Sequence, residues 1–178
     1  MIQNCPDPSL AWNHYTEHLL NIDQKYWTGT SRYQVKRDPA QTGNFAFIFR
    51  RALFVGLNMV SNEDEVTTET RLEQNLQWVY DNEVPHANNT DVIFMTGFGR
   101  LRDLPTFRDA IVEKKKDDWK DKLVVYARRG EETKIFTDVE GAKDFHELSV
   151  GKGWPITDIN LDMTSNEAPR VGYRLSSG

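Results

Sequence analysis

The sequence has almost no cysteine and no long apolar run, and each shortage excludes a class of protein. Cys5 is its single cysteine, so neither an intrachain disulfide nor a cysteine zinc cluster can form. A single cysteine does not indicate whether the protein resides in an oxidising or a reducing compartment. No apolar stretch approaches the roughly 20 residues that a membrane-spanning helix needs. Residues 1–10 also lack the basic-then-apolar pattern of a signal peptide. We therefore expect a soluble chain with no transmembrane segment.

The sequence also lacks an excess of positive charge. Lys and Arg together number 22 against 27 Asp and Glu, which gives a formal net charge of −5. A mildly acidic chain is a poor general binder of nucleic acid or of anionic membranes. We therefore expect no nucleic-acid partner.

The remaining composition is that of a folded chain. Of the 178 residues, 38% are hydrophobic, 11% are aromatic and 28% are charged, which argues against extended disorder. No internal repeat, low-complexity segment or linker divides the chain, and its length suits one domain. We expect a single domain over residues 1–178.

An apolar stripe near the N-terminus predicts a helix over residues 9–27, with Pro8 at a position that suits helix entry. The large apolar residues of this stretch follow three- and four-residue steps and so share one helical face. They are Trp12, Tyr15, Leu19, Ile22 and Tyr26. Because this face must be buried, His14 and His18 fall on the solvent side.

The middle of the chain alternates strands and helices. Residues 44–60 hold two apolar runs that meet at Arg50-Arg51, which predicts a tight hairpin whose second strand, 53–57, is internal to a sheet. Further apolar patterns then predict a helix, a strand, a helix and a strand, an order typical of α/β proteins. The first of these helices ends near Pro85 and is followed by a strand over residues 91–95. The second helix begins at Pro105 and is followed by a strand over residues 123–126.

The last third of the chain changes pattern. Gly and Pro turn signals separate four short apolar segments, which are predicted as strands. They are 133–137, 145–150, 157–163 and 170–175. We expect them to form a meander on the sheet edge. The predicted fold class is α/β (α+β), a mixed β-sheet or sandwich with flanking helices.

Residues 14–18 read His-Tyr-Thr-Glu-His and match the pattern of inverted zinc proteases. Two histidines four apart lie on one helical face, and Glu17 could act as a base. Such a site also needs a third, distant carboxylate and a substrate cavity. A helix surface with two histidines is more often plain polar surface, so we predict no metal ligand here.

Arginines follow the ends of two predicted strands. Gly97-Phe98-Gly99 is an incomplete dinucleotide-binding loop, because an arginine stands at its third glycine position. Arg100 follows this loop, and Arg128 and Arg129 follow the next strand. Ligands of α/β proteins bind beyond the carboxyl ends of strands, so Arg100, Arg128 and Arg129 are candidates for an anion-binding site. Ordinary surface charge, with Glu131 and Glu132 as the partners of Arg128 and Arg129, is the alternative that the pattern favours.

Several stretches, taken in order, carry a resemblance to a known family. The most specific are Asn44-Phe45-Ala46-Phe47 and residues 53–60, Leu-Phe-Val-Gly-Leu-Asn-Met-Val. Weaker similarity continues on both sides. It lies at Asn4 to Pro8, Ala11-Trp12, Lys25 to Trp27, Arg71-Leu72, Asn75, Trp78, Trp154 to Ile156 and Arg170 to Arg174. The chain resembles the C-terminal half of calcineurin-like metallophosphoesterases of a microbial and algal branch. The resemblance implies half of the family's αββα sandwich.

The sequence departs from this family where the family binds metal. Members hold two metal ions, and the resemblance implies a Gly-His pair after one strand and Gly-Asp-x-His after the next. Thr96, Gly130 and Glu132 stand where that pattern has His, Asp and His. Threonine is a weak ligand for a divalent cation and glycine offers no side chain. We expect no metal or other cofactor, and the arginines at 128 and 129 would favour an anion instead.

These considerations predict a non-catalytic metallophosphoesterase-like remnant that acts as a structural or interaction subunit of a larger protein assembly. Half of a sandwich leaves an apolar surface that needs a partner or a cover. The loss of the family's metal ligands favours a protein that is not an enzyme. Two alternatives stay open. One is a metal-dependent hydrolase, either a phosphoesterase completed by another chain or a zinc enzyme built on residues 14–18. The other is an anion- or phosphate-binding module.

Overall fold

The structure of the chain is a computed structural model that describes residues 10, 14, 17, 35–41, 43–59, 68–152, 157–163 and 168–175. Within these ranges the chain forms a seven-stranded mixed sheet, a separate two-stranded hairpin and two α-helices with described bounds. The helices are α1 (Thr68–Glu83) and α2 (Pro105–Lys116). The strands are β1 (Lys36–Arg37), β2 (Phe45–Phe49), β3 (Ala52–Gly56), β4 (Val92–Gly97), β5 (Leu123–Gly130), β6 (Lys134–Phe136), β7 (Phe145–Gly151), β8 (Thr157–Asp162) and β9 (Arg170–Leu175).

The sheet has the strand order β1-β2-β3-β4-β5-β7-β6. Strands β3, β4, β5 and β7 are parallel, whereas β1 and β2 on one side and β6 on the other are antiparallel to their neighbours. This mixed α/β content is an α+β arrangement, as the sequence predicted. The parallel strands β3, β4 and β5 are joined through α1 and α2, which are the long connections that parallel pairing requires.

The predicted hairpin at Arg50-Arg51 is present between β2 and β3, with Phe47 opposite Phe54 in the register. Arg50 adopts a left-handed conformation with φ +55°, which closes the two-residue turn. The Arg51 guanidinium is hydrogen-bonded to both carboxylate oxygens of Asp91 at the start of β4. The hairpin is thereby fastened to the parallel part of the sheet, and β3 is internal as predicted.

Both helices pack on one face of the sheet, which we call the helix face. Alternate residues of the parallel strands point into this layer, and the apolar stripes of the helices meet them. The fully buried residues of the layer include Val55, Val79, Ile93, Met95, Phe107, Ile111, Trp119, Val124, Tyr126 and Phe145. The core therefore lies mainly between the sheet and the helices.

The opposite face, which we call the hairpin face, is covered in part by β8 and β9. Their apolar residues Ile159, Leu161 and Val171 pack against a second buried cluster. That cluster is Ala52, Val92, Phe94, Leu123, Val125, Ala127 and Leu148. Strands β8 and β9 pair with each other and with no other described strand. The described structure therefore has three layers, which are the two helices, the seven-stranded sheet and the β8–β9 hairpin.

The prediction of an edge meander is wrong for half of the C-terminal segments. β7 lies inside the sheet, between β5 and β6, and only β6 is at the edge. The segments 157–163 and 170–175 form the separate hairpin and lie across the sheet face, because their apolar residues are needed to cover the second buried cluster. An alternating strand pattern tells which side of a strand is apolar, but both an edge strand and a covering hairpin satisfy it.

Most of the N-terminal helix predicted over residues 9–27 lies outside the described residues. Leu10, His14 and Glu17 within it are helical and exposed. His18 is not among the described residues. No helix in the described part of the chain is long and apolar enough to cross a membrane.

Candidate functional site

The carboxyl ends of the parallel strands β4, β5 and β7 lie at one edge of the sheet. Two cavities open there, one on each face, and the end of β5 separates them. Successive residues of a strand point to opposite faces, so Arg128 and Arg129 are divided between the two faces. Arg100 and Arg128 line the cavity on the helix face, Arg129 lines the cavity on the hairpin face, and Arg128 also borders the latter at the end of the strand. Neither of these two cavities is lined by all three of the arginines predicted as one anion site.

The helix-face cavity has a volume of about 620 Å³ and a balanced set of charges. Its cationic residues are Arg100, Arg102, Arg108, Arg128 and Lys134. Its acidic residues are Glu131, Glu132, Asp138, Glu140 and Glu147. Five positive charges face five negative ones, so this cavity has no net attraction for a simple anion.

Arg128 is the most buried cation of this cavity, and it already has an anionic partner. Its Nε atom is hydrogen-bonded to Glu147, and the two side chains are 10% and 11% exposed. Its Nη1 atom lies 3.4 Å from the Ser149 hydroxyl and 3.2 Å from the Arg129 carbonyl oxygen. A guanidinium held in this way stabilises the packing of β5 on β7 and has little left to offer a ligand.

The other arginines of the helix-face cavity are paired as well. Arg100 Nε lies 2.5 Å from the Asp103 carboxylate. Arg108 lies 2.8 Å from Asp109 and 3.2 Å from Glu140. These pairs fit the alternative of ordinary surface charge with local acidic partners. The partners are Asp103, Asp109 and Glu140, and not Glu131 and Glu132.

The hairpin-face cavity differs in charge and in lining. Its volume is about 450 Å³. Its floor and walls are the apolar side chains Phe94, Ala127, Val150 and Ile159 together with Thr96 and two glycines, and its cations at the strand ends are Arg128, Arg129 and Lys152. No acidic side chain is among the described residues that line it.

Tyr126 organises the base of the edge on the helix face. This residue is fully buried, and its hydroxyl lies 3.1 Å from the Gly99 carbonyl oxygen, 3.3 Å from that of Phe98 and 3.2 Å from Met59 Sδ. The hydroxyl has one proton to donate among these acceptors, and its bonds to the two carbonyl oxygens hold the loop after β4. Burial raises the pKa of Tyr126 far above its usual range, and the negative charge of Glu147 adds to this shift.

The residues at this edge do not fit the pair of metal ions that the family resemblance implies. Gly130 lies so close to β7 that a Cβ atom there would stand 1.8 Å from the Ser149 hydroxyl oxygen. Glycine offers no ligating side chain, and a larger residue would fit there only if Ser149 moved. Among the described residues no group of three His, Cys, Asp or Glu side chains could hold a metal. His14 and Glu17 are exposed, and their proposed partner His18 lies outside the described residues.

A row of phenylalanine rings crosses the hairpin face beside the smaller cavity. The rings belong to Phe45, Phe47, Phe54 and Phe94, and we call them the aromatic row. Neighbouring ring centroids lie 6.3, 5.0 and 5.6 Å apart along this order. A Cβ atom at Gly56 would lie 2.0 Å from the Phe45 ring, so glycine at that position lets the first ring rest on β3. Phe94 is buried, but the other three rings stay partly exposed.

Sequence reasoning missed two important residues of this edge, Glu147 and Tyr126. Glu147 lies within the strand predicted over residues 145–150, and an acidic residue within an apolar strand signals a buried partner. Tyr126 is the last residue of the strand predicted over 123–126, and its hydroxyl group received no role.

No protein family, curated protein or solved structure matches this chain.

Proposed function

We propose that the chain is a non-catalytic subunit, similar in fold to half of a metallophosphoesterase sandwich, which binds another protein through the aromatic row. The observation that carries this proposal is the partial exposure of Phe45, Phe47 and Phe54 on a sheet face that the β8–β9 hairpin covers only in part. The hairpin packs on the cluster centred on β4 and β5, whereas Phe45 and Phe47 lie on β2, two strands away. Contiguous exposed aromatic surface is a common property of protein-binding sites.

The geometry of the row suits a binding hot spot. Phe47 and Phe54 are stacked with an interplanar angle of 9°, and each ring is held by its neighbours. Rigid aromatic side chains lose little conformational entropy on binding, and burying one phenylalanine contributes roughly 1.5–3 kcal/mol. Three partly exposed rings therefore contribute part of the free energy of association when a partner excludes water from them.

The flanks of the row indicate the chemistry of the partner. The Arg37 guanidinium lies 5.5 Å from the centroid of Phe45, and that of Arg50 lies 5.5 Å from the centroid of Phe49. Phe49 is on the same face as Phe45 and Phe47 because it follows them at two-residue spacing along β2. The surface thus has an aromatic centre and a cationic rim. Its complement is a protein surface with an apolar centre and acidic residues at its border.

The test is site-specific photocrosslinking in the source cells. A photoreactive phenylalanine analogue replaces Phe49, which is 38% exposed, or Phe136, which is 42% exposed and lies on the helix face. The Phe136 position is therefore a matched control. We expect a crosslink from position 49, and not from 136, to one other protein through an apolar peptide with acidic neighbours.

The purified partner must then bind the chain directly. Phe47→Glu should weaken this binding at least tenfold in calorimetry, whereas Phe136→Glu should leave it unchanged. Equal crosslinking from both positions would contradict the proposal. A crosslink from position 49 to a second copy of the chain, with a doubled mass in solution, would replace the heterologous partner by a homodimer and also contradict it.

A further inference from the structure

The cations at the sheet edge differ in whether they have anionic partners. On the helix face, Arg100, Arg108 and Arg128 each pair with a carboxylate. On the hairpin face, Arg129 is exposed and forms no ion pair with any residue in the part of the chain that the structure describes. An arginine at the mouth of a cavity with no local carboxylate keeps its full fork of donors for a ligand.

A second cation borders the same cavity. Lys152 Nζ lies 2.8 Å from the Glu131 carboxylate, but these side chains are 50% and 81% exposed. An ion pair so accessible to water contributes little free energy. An anion in the cavity can therefore take the place of Glu131 at small cost, and the two cations can then act on it together.

The surface below these cations is apolar and forms a shallow, open depression. Phe94 and Ala127 are 6% and 5% exposed and form its base, and Val150 and Ile159 form its walls. Ile159 belongs to β8, so the cavity lies where the hairpin meets the sheet. A volume of about 450 Å³ is within the range of small-molecule sites, roughly 300–1,000 Å³.

We propose that the hairpin-face cavity binds a small organic anion, with its phosphate or carboxylate on Arg129 and Lys152 and its apolar body over Phe94, Ala127 and Ile159. The arginine fork recognises such anionic groups by two parallel hydrogen bonds. The apolar floor adds affinity that an inorganic anion cannot gain. This site goes beyond the protein-binding function proposed above and does not depend on it: the two share only the buried Phe94, and neither Arg129 nor Lys152 belongs to the aromatic row.

The experiment compares three probes on the isotope-labelled chain by calorimetry and by amide chemical shifts. Phenyl phosphate has both features of the ligand, inorganic phosphate has only the charge, and phenol has only the ring. We expect phenyl phosphate to bind about tenfold more tightly than inorganic phosphate, or better, because the ring is buried on the floor. Phenol should bind more weakly than phenyl phosphate by at least as much. The amides of Thr96, Ala127 and Gly151 should shift.

Variants then assign the binding to this cavity. Arg129→Gln should weaken phenyl phosphate binding about tenfold. Arg102→Gln removes the same charge from an exposed arginine of the other cavity and should change nothing. Thr96→Trp places a large ring at an exposed position on the cavity wall and should abolish binding. If Arg129→Gln does not fold, as judged by circular dichroism, Lys152→Gln together with Thr96→Trp provides the same test.

Three results would overturn this proposal. The first is that phenyl phosphate binds no better than inorganic phosphate, which would show that the apolar floor contributes no affinity. The second is that the two arginine variants weaken binding equally, which would show general electrostatic attraction. The third is that the shifted amides are those of Arg100, Arg108 and Glu140, which would place the ligand in the helix-face cavity.

Discussion

Breaking the Arg128–Glu147 pair should destabilise the chain far more than breaking any exposed ion pair. The two side chains are 10% and 11% exposed, and their charged groups are in hydrogen-bond contact across β5 and β7. Arg128→Met leaves the Glu147 carboxylate buried beside the Ser149 hydroxyl, which cannot neutralise it. The unpaired charge should cost about 3–5 kcal/mol of folding free energy. For a chain of this size that corresponds to a fall in Tm of roughly 6–20 °C.

Urea unfolding followed by tryptophan fluorescence measures this effect through the midpoint at constant slope. Arg128→Met and Glu147→Leu should each lose about 3–5 kcal/mol, because each leaves one buried charge without its partner. The double variant should be more stable than either single variant, since no charge then remains buried. This non-additivity, obtained from a double-mutant cycle, is the signature of direct interaction.

The control is the Arg51–Asp91 pair, whose side chains are 57% and 34% exposed. Arg51→Met should cost much less than Arg128→Met because water screens this pair. If Arg128→Met is no worse than Arg51→Met, or if the losses at Arg128 and Glu147 simply add, the buried pair does not have the role assigned to it here.

Three further predictions concern Tyr126 and Gly130 at the same edge of the sheet and Asp91 at the opposite end of the parallel strands. Tyr126 has a raised pKa in the folded state, so its contribution to stability is complete below its unfolded pKa of about 10 and is lost as the pH rises further. Tyr126→Phe should lose about 1 kcal/mol of folding free energy at pH 8, and its stability in urea unfolding should fall less steeply at alkaline pH than that of the parent. An equally steep alkaline fall in both proteins would contradict this. Asp91 has a pKa lowered by the Arg51 hydrogen bonds, so the stability that it contributes is present above about pH 4 and is lost as the pH falls. Asp91→Asn should therefore have a lower free energy of unfolding than the parent at neutral pH. That free energy should also fall less steeply in acid than it does in the parent. Gly130→Ala should cost about 1–3 kcal/mol of folding free energy because the added Cβ meets the Ser149 hydroxyl. Adding Ser149→Ala to the Gly130→Ala variant should restore part of the loss. Equal stability of Gly130→Ala and the parent would show that β5 and β7 are further apart at this position.

The sequence predicted the local elements well and their placement less well. Apolar periodicity located the β2–β3 hairpin and the helix–strand alternation up to β5, because these elements pair with neighbours along the chain. β5 extends to Gly130, four residues beyond the predicted strand. The additional residues Arg128 and Arg129 are charged, and a hydrophobic pattern cannot recognise a strand whose charge is neutralised by a distant partner. Glu147 is 19 positions away, so only the tertiary structure reveals that compensation.

Arg100, Arg128 and Arg129 lie at the edge of the sheet that the sequence indicated, but the structure distributes them over two cavities. The rule that ligands lie beyond the carboxyl ends of parallel strands depends only on topology, and both cavities obey it. Whether two neighbouring arginines act together depends instead on whether the chain is still a strand at that point. In a loop, Arg128 and Arg129 could turn toward one anion, but within β5 the alternation of side chains sends them to opposite faces. The two consequences are linked. Arg128 is drawn into the charge-balanced helix face and stabilises the fold, and Arg129 is left on a face where no described acidic side chain lines the cavity. A single additional residue in β5 before position 128 would exchange the two environments, and so the strand register decides which arginine is structural and which can bind a ligand.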